Sequence, residues 1–150
     1  MIMANTKRQQ IMDAVKTRLQ GITVANGYDF NLGSHVFEWR TTTLNDNEIP
    51  GIVFRDVQNV KIEGGPVAYF RWGLNIEIDI ITQGGTSIAD IRKMLGDVYK
   101  AIGTDVRWGG LAILTEQPNN DEIQSEQQER KITGVSIRLQ IIYDSPLWEA

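Results

Sequence analysis

Two stretches of this chain alternate apolar and polar residues over a length that only β-strands accommodate. Leu74, Ile76, Ile78 and Ile80 alternate with Asn75, Glu77 and Asp79 inside a segment of about 68–82. Val135, Ile137, Leu139 and Ile141 alternate with Ser136, Arg138 and Gln140 inside about 131–143. A period of two sends successive side chains to opposite faces, so each strand owns one fully apolar side. The other side is left for water or for a partner.

Two helices are expected to bury that apolar side. Ile11, Val15 and Leu19 recur every fourth residue, with Met12 and Ala14 beside them, over about 6–20. Asn5 or Thr6 caps the start and Gly21 stops it. A second helix follows the turn Gln83-Gly84-Gly85. Ser87 caps it, Asp90 completes a weak capping box, and Ile88, Ile91, Leu95, Val98 and Ile102 form its stripe up to Gly103. Each helix has one stripe to hide, and the strands have one face to hide it against. The fold class that follows is α+β: a single antiparallel or mixed β-sheet with two α-helices packed on one face, in one domain over 1–150.

Shorter elements fill the rest. Tyr28–Leu32 and Val36–Arg40 flank the turn Gly33-Ser34 and read as a hairpin. Residues 41–48 read as an exposed polar loop. Pro50 opens a strand over about 51–58, and Val60–Ile62 reads as another before the turn Gly64-Gly65-Pro66. Leu111–Thr115 reads as a short strand, and Pro118–Gln128 as a polar acidic loop.

Composition removes several kinds of chemistry. The 150 residues contain no cysteine and one histidine, His35. Disulfides, thiolate zinc sites, iron–sulfur clusters and cysteine nucleophiles are excluded, as is a multi-histidine metal site. No apolar run approaches the roughly 18 residues of a membrane span. Met1–Gln20 lacks the apolar core of a secretory leader, so the protein is expected to stay where it is made. No cofactor is expected. The net charge of −4 is unevenly spread. Lys7, Arg8, Lys16 and Arg18 stand against Asp13 in the first helix, while no base lies between Arg107 and Arg130. An acidic chain without a basic stripe is poorly suited to gripping nucleic acid.

Few residue patterns suggest catalysis. Glu77 and Asp79 share a strand face about 6.5–7 Å apart, a spacing compatible with acid–base work but also with a solvated or subunit-facing side. Ser34 or Ser87 with His35 and an Asp would give the members of a triad, but no G-x-S-x-G elbow is present. The glycine pairs match no phosphate loop. Asn119-Asn120-Asp121-Glu122 has oxygen ligands without the spacing of a calcium loop. The tryptophans are more suggestive. Trp39, Trp72, Trp108 and Trp148 lie near element ends, and Arg40, Arg71 and Arg107 adjoin the first three. Trp and Arg are enriched at protein interfaces, and adjacent pairs suggest cation–π contacts.

Beyond these patterns, LQGIT at 19–23, NGYDFNLGSHVFEWR at 26–40 and PGIVF at 50–54 lead into the long alternating strand. SIADIRKMLGDVYKAIG at 87–103 and a last strand ending IRLQIIYDSPLW at 137–148 complete the order. This succession resembles the small tail terminator (tail completion) proteins of tailed bacteriophages and prophages. The resemblance implies a sheet with helices on one side and a structural role without catalysis. It implies a homohexameric ring that caps the tail tube, ends tube polymerisation and offers the head-joining surface. The implied partners are copies of the chain, the tail-tube protein and a head or neck connector, with DNA passing through unbound and no membrane. The implied location is the head-proximal end of the virion tail, with assembly in the host cytoplasm. Another neck or tail connector is the alternative; a small enzyme using Glu77 and Asp79 is a remote one. No interface residue transfers by motif. The residues themselves nominate Arg71, Trp72, Asn75, Glu77, Asp79, Trp108 and Trp148, with the loops 41–48 and 118–128. Polar loops of this kind are expected to be ordered by a neighbouring ring, and the acids of 21–64 or 111–129 to face the channel.

Overall fold

The two alternating segments pair with each other in the computed structural model, which describes residues 6–84, 86–116, 121–125 and 133–150. Strand β3 (Tyr69–Thr82) runs antiparallel to β6 (Thr133–Pro146) in unbroken register, from Tyr69 opposite Pro146 to Thr82 opposite Thr133. Leu74, Ile76, Ile78 and Ile80 therefore lie directly across from Ile141, Leu139, Ile137 and Val135, and all eight are buried. Strand β2 (Gly51–Ile62) flanks β3 and adds Ile52 and Phe54 to the same face. Strand β1 (Val36–Glu38) lies outside β2 and parallel to it. Strands β4 (Leu114–Glu116) and β5 (Asp121–Ser125) both pair with the far side of β6. The sheet is mixed, with six strands.

Helices α1 (Lys7–Gln20) and α2 (Ile88–Gly103) pack on the apolar face. Thr6 caps α1 through the Gln9 amide, and Ser87 caps α2 through the Asp90 amide. Ile11, Met12, Val15 and Leu19 face inward from α1, as the spacing requires. From α2 the buried set is Ile91, Met94, Val98, Ala101 and Ile102, with Asp97; Ile88, expected in the stripe, is exposed at the first turn. Among the described residues no helix is long and apolar enough to cross a membrane.

The expected hairpin at 28–40 does not form. The amides of Asp29 and Phe30 turn instead to the buried carboxylate of Asp97 on α2, at 3.1 and 3.0 Å. Leu32–Ser34 is a single 3₁₀ turn whose Gly33 amide bonds the Ile22 carbonyl. A Cβ at Gly33 would lie 2.3 Å from the Gln20 carbonyl oxygen, so this approach needs glycine. Only Val36–Glu38 is extended, and it pairs with β2 rather than with its sequence neighbour.

Three other boundaries move. The segments 51–58 and 60–62 are one strand, because a bulge between Asp56 and Gln58 absorbs Val57 without ending the pairing. The short strand expected at 111–115 begins at Leu114, since Trp108–Gly110 forms a 3₁₀ turn before it. Residues 121–125, placed in the acidic loop, are strand β5; the remainder of 118–128 and Gly85 lie outside the described residues.

Asp97 is the least expected member of the core, with 4% of its surface exposed. A charge-assisted hydrogen bond is worth about 1.5–3 kcal/mol. Asp97→Ala strands two amides and is expected to destabilise the fold by roughly 3 kcal/mol. Chemical denaturation reads the loss; Asp97→Asn, which keeps one acceptor, should lose less.

Candidate assembly surface

On the face of the sheet opposite the helices, the buried Leu44 of loop 41–48 lies over the Gly51 end, where Val53 is 4% exposed, and the rest is open among the described residues. The centre of this face is polar and tightly cross-linked. Arg55 on β2 donates to Glu77 Oε1 at 2.9 Å and to Asp79 Oδ2 at 2.7 Å. Arg138 on β6 stands 3.8 Å from the other oxygen of Glu77. Further along, Asn75 donates to Gln58 and accepts from Gln140. Gln140 and Ile62 lie over Gly73, where a Cβ would meet them at 2.5 and 2.8 Å. The sequence pairing of Glu77 with Asp79 is thus real, but one guanidinium sits between them. What the two carboxylates do here is hold Arg55 across two strands.

Beyond the polar centre the sheet outruns its helices. Strands of fourteen residues span about 45 Å, whereas helices of fourteen and sixteen span about 21–24 Å. The overhang is the β2–β3 turn with the end of β6 and the tail 147–150. Arg71 grips Asp144 with two hydrogen bonds, 2.9 and 3.2 Å. Trp72 lies on the helix side, donates to Ser145 Oγ at 3.1 Å and meets Phe70 edge to face. Phe70 also receives Lys61 on its ring and Trp148 at its edge. At the very end, Val67 is 96% exposed and Trp148 91% exposed, with Tyr69 and Leu147 half-exposed beside them. Trp148 has φ 64° and Ala68 φ 66°. A bulky residue in this left-handed region costs on the order of 1–3 kcal/mol and is found mainly at clamps and switches.

Of the nominated residues, Arg71, Trp72 and Trp148 converge on this tip, and Asn75, Glu77 and Asp79 lie on the adjoining open face. Trp108 does not join them. It is 3% exposed, donates to Thr115 Oγ1 at 2.7 Å and is roofed by the Arg18 guanidinium 3.7 Å from its ring. As a surface element it is corrected to a core residue. The expected stacking of sequence-adjacent Arg and Trp also fails. Neighbours on a strand point to opposite faces, so Arg71 turns to Asp144 away from Trp72; off the strands, Arg40 stacks on Phe37 and the cation over Trp108 comes from α1.

The other suggestions resolve into structural contacts. The Ser87 hydroxyl accepts the Asp90 amide and caps α2. Loop 41–48 is pinned, not free: Arg40 donates twice to Glu48, both at 3.0 Å, and Leu44 is buried. The Arg40 hydrogen bonds, aided by the Asn45 amide, hold the Glu48 carboxyl below the usual range. Of 119–122, Asn119 and Asn120 lie outside the described residues, and Asp121 accepts the Tyr99 hydroxyl at 2.8 Å. Among the described residues no three His, Cys, Asp or Glu side chains cluster as metal ligands. What sequence reasoning missed is Val67 and Tyr69. Neither is part of an alternating run, and their exposure depends on where the helices end.

No protein-family model matches the chain, and no curated protein matches it in a sequence search.

Two outcomes test this description. Trp148 touches only Phe70 among rings and sits in a strained backbone. Trp148→Gly is expected to leave thermal stability within about 0.5 kcal/mol of the parent, which would separate its role from folding. Tyr99 supplies the second. Burial first, then the hydrogen bond and charge of Asp121, push its phenol up to about 12. An unfolded tyrosine titrates near about 10, so the folded chain holds this proton more tightly. The stabilisation is complete below about pH 10 and is lost as pH rises through about 12. Denaturation midpoints across that window should fall, and Tyr99→Phe should remove this part of the fall.

Proposed function

We propose that this chain is a structural protein of a phage tail. It forms a ring of identical subunits on the last ring of the tail tube, ends tube growth and presents the surface that joins the head. The sequence resemblance supplies the identity of the partners. The observation that carries an assembly role is the aromatic tip, where Val67 and Trp148 stand almost wholly in solvent beyond a core that is complete without them. Contiguous exposed apolar surface of this kind marks interaction sites. Tryptophan and arginine anchors are where interface energy concentrates.

The open sheet face supports the same reading. Its charges are paired within the subunit by Arg55, Glu77, Asp79 and Arg138, so a neighbour covering it meets a rigid, nearly neutral surface. Burying such a face desolvates fewer unpaired charges than burying free carboxylates would. Acidic Glu116 and Glu122 on β4 and β5 are exposed. Placed on the bore of a ring they would repel DNA and let it pass.

The test is direct. Mass in solution, with negative-stain images of the protein alone and mixed with purified tail tubes, is expected to show rings, or a monomer that becomes a ring on the tube end and stops its growth. Glu77→Gln should leave capping unchanged or weakened. A protein that stays solitary at high concentration and ignores tube ends, or a chemical turnover lost in Glu77→Gln, overturns the proposal.

A further inference from the structure

The sheet ends in two edges that carry no strand among the described residues. On one side β1 covers only residues 52–54 of β2, which leaves the outer edge of 57–62 without a partner strand. On the other side β5 pairs with β6, and no described strand pairs with β5 in turn. The ladders decide which main-chain groups these edges offer. The Ile52 amide bonds the His35 carbonyl and the Phe54 carbonyl accepts the Trp39 amide, so both residues turn away from β3. They stand opposite Ile80 and Ile78. Bonded and non-bonded positions alternate along an antiparallel ladder. Asn59 and Lys61, opposite Leu74 and Trp72 in the same alternate series, therefore also turn outward. The same alternation, carried through β3 and β6, turns Asp121 and Ile123 outward from β5.

We propose that the β2 edge of one copy pairs with the β5 edge of the next, and that this pairing carries the sheet from subunit to subunit around the ring. The proposal rests on the ring reading above and deepens it by naming the strands that meet. A head-to-tail ring needs two different, complementary patches on each subunit. The strands β2, β3, β6 and β5 alternate in direction. A repeated subunit therefore brings its β2 against β5 antiparallel, and two otherwise open edges satisfy each other. One register suits both. With Lys61 across from Asp121 and Asn59 across from Ile123, outward main-chain groups meet outward groups. All four side chains then share the helix side. Lys61 lies over the Phe70 ring, Asn59 donates to the Tyr143 hydroxyl, Asp121 accepts the Tyr99 hydroxyl and Ile123 stands opposite buried Val135. Neither Lys61 nor Asp121 makes an ion pair among the described residues. Opposite charges facing each other across two strands attract. A slip of two residues one way sets Asp121 against Glu63, like against like. A slip the other way sets Ile123 against Val57, in the bulge that interrupts the edge. The chosen register also brings together Val60 and Ile123, 38% and 39% exposed in the single chain.

The absence of native cysteine gives a clean cross-linking test. In this register Val60 and Glu122 form a non-bonded pair, the closer of the two antiparallel spacings and within reach of a disulfide. Under mild oxidation, alone or on tail tubes, the double variant V60C/E122C is expected to give a ladder of covalent oligomers up to the full ring. Each single variant is expected to give none. Within the double variant, adding Lys61→Glu is expected to cut the ladder about fivefold, and adding Asp121→Lys as well to restore it. Circular dichroism checks that each variant is folded. Hydrogen exchange reads the unmodified protein: the Asn59, Lys61 and Ile123 amides should slow when rings form. Dimers from V60C alone would mean that β2 meets β2 and would overturn the proposal. Rings seen in the microscope without the ladder or without the slowed amides would overturn it too, while leaving the ring reading intact. A solitary particle by mass, with no ladder and no response to tubes, removes both.

Discussion

The pairing of β3 with β6 is the constraint from which the rest of the molecule follows. Fourteen consecutive residues face fourteen others without a bulge, so Leu74, Ile76, Ile78 and Ile80 meet Ile141, Leu139, Ile137 and Val135. Slipping one strand by one residue would turn its apolar row to the opposite face, which makes the register strongly determined. This double row is the floor on which both helices sit. It also fixes the opposite face, because Asn75, Glu77 and Asp79 must point where Leu74, Ile76 and Ile78 do not.

From that register comes a division of labour between the two faces. The helix side is closed by apolar burial, and Asp97 is satisfied there by two loop amides, Trp108 by Thr115 and Trp72 by Ser145, while the buried Asn59 Oδ1 has no hydrogen-bond partner. The open side is held by charge. Arg55 spans Glu77 and Asp79, and Arg71 spans the gap to Asp144. Buried and semi-buried pairs of this kind are fragile if one partner is lost, yet they present a settled surface when intact. The strands continue past the helices, and the aromatic tip is the consequence of that excess length.

Two tryptophans stand exposed on this framework, Trp148 at the tip and Trp39 beside β1. Trp148 and Trp39 both have a positive φ, as does the buried Trp108. Nothing in the core needs either residue to be where it is. The exposure of Val67 and Trp148 beyond the core is what supports the proposed assembly role.

Much of the fold was legible in the residues, because periodicity is a local signal. The long strands, both helices with the caps Thr6 and Ser87, and the single packed face all follow from spacing of apolar side chains and from capping chemistry. The hairpin at 28–40 was not legible, since the acceptor that diverts Asp29 and Phe30 is a carboxylate 67 or more positions away on α2. Nor was the fate of the tryptophans. Trp108 and Trp148 are alike in sequence, each at the end of an element beside small or polar residues. Only the packing of Arg18 over one, and the end of the helical layer short of the other, decides which is core and which is surface. Neighbour-to-neighbour patterns fix which elements form and which side of each is apolar; contacts between distant segments decide what each exposed residue is free to touch.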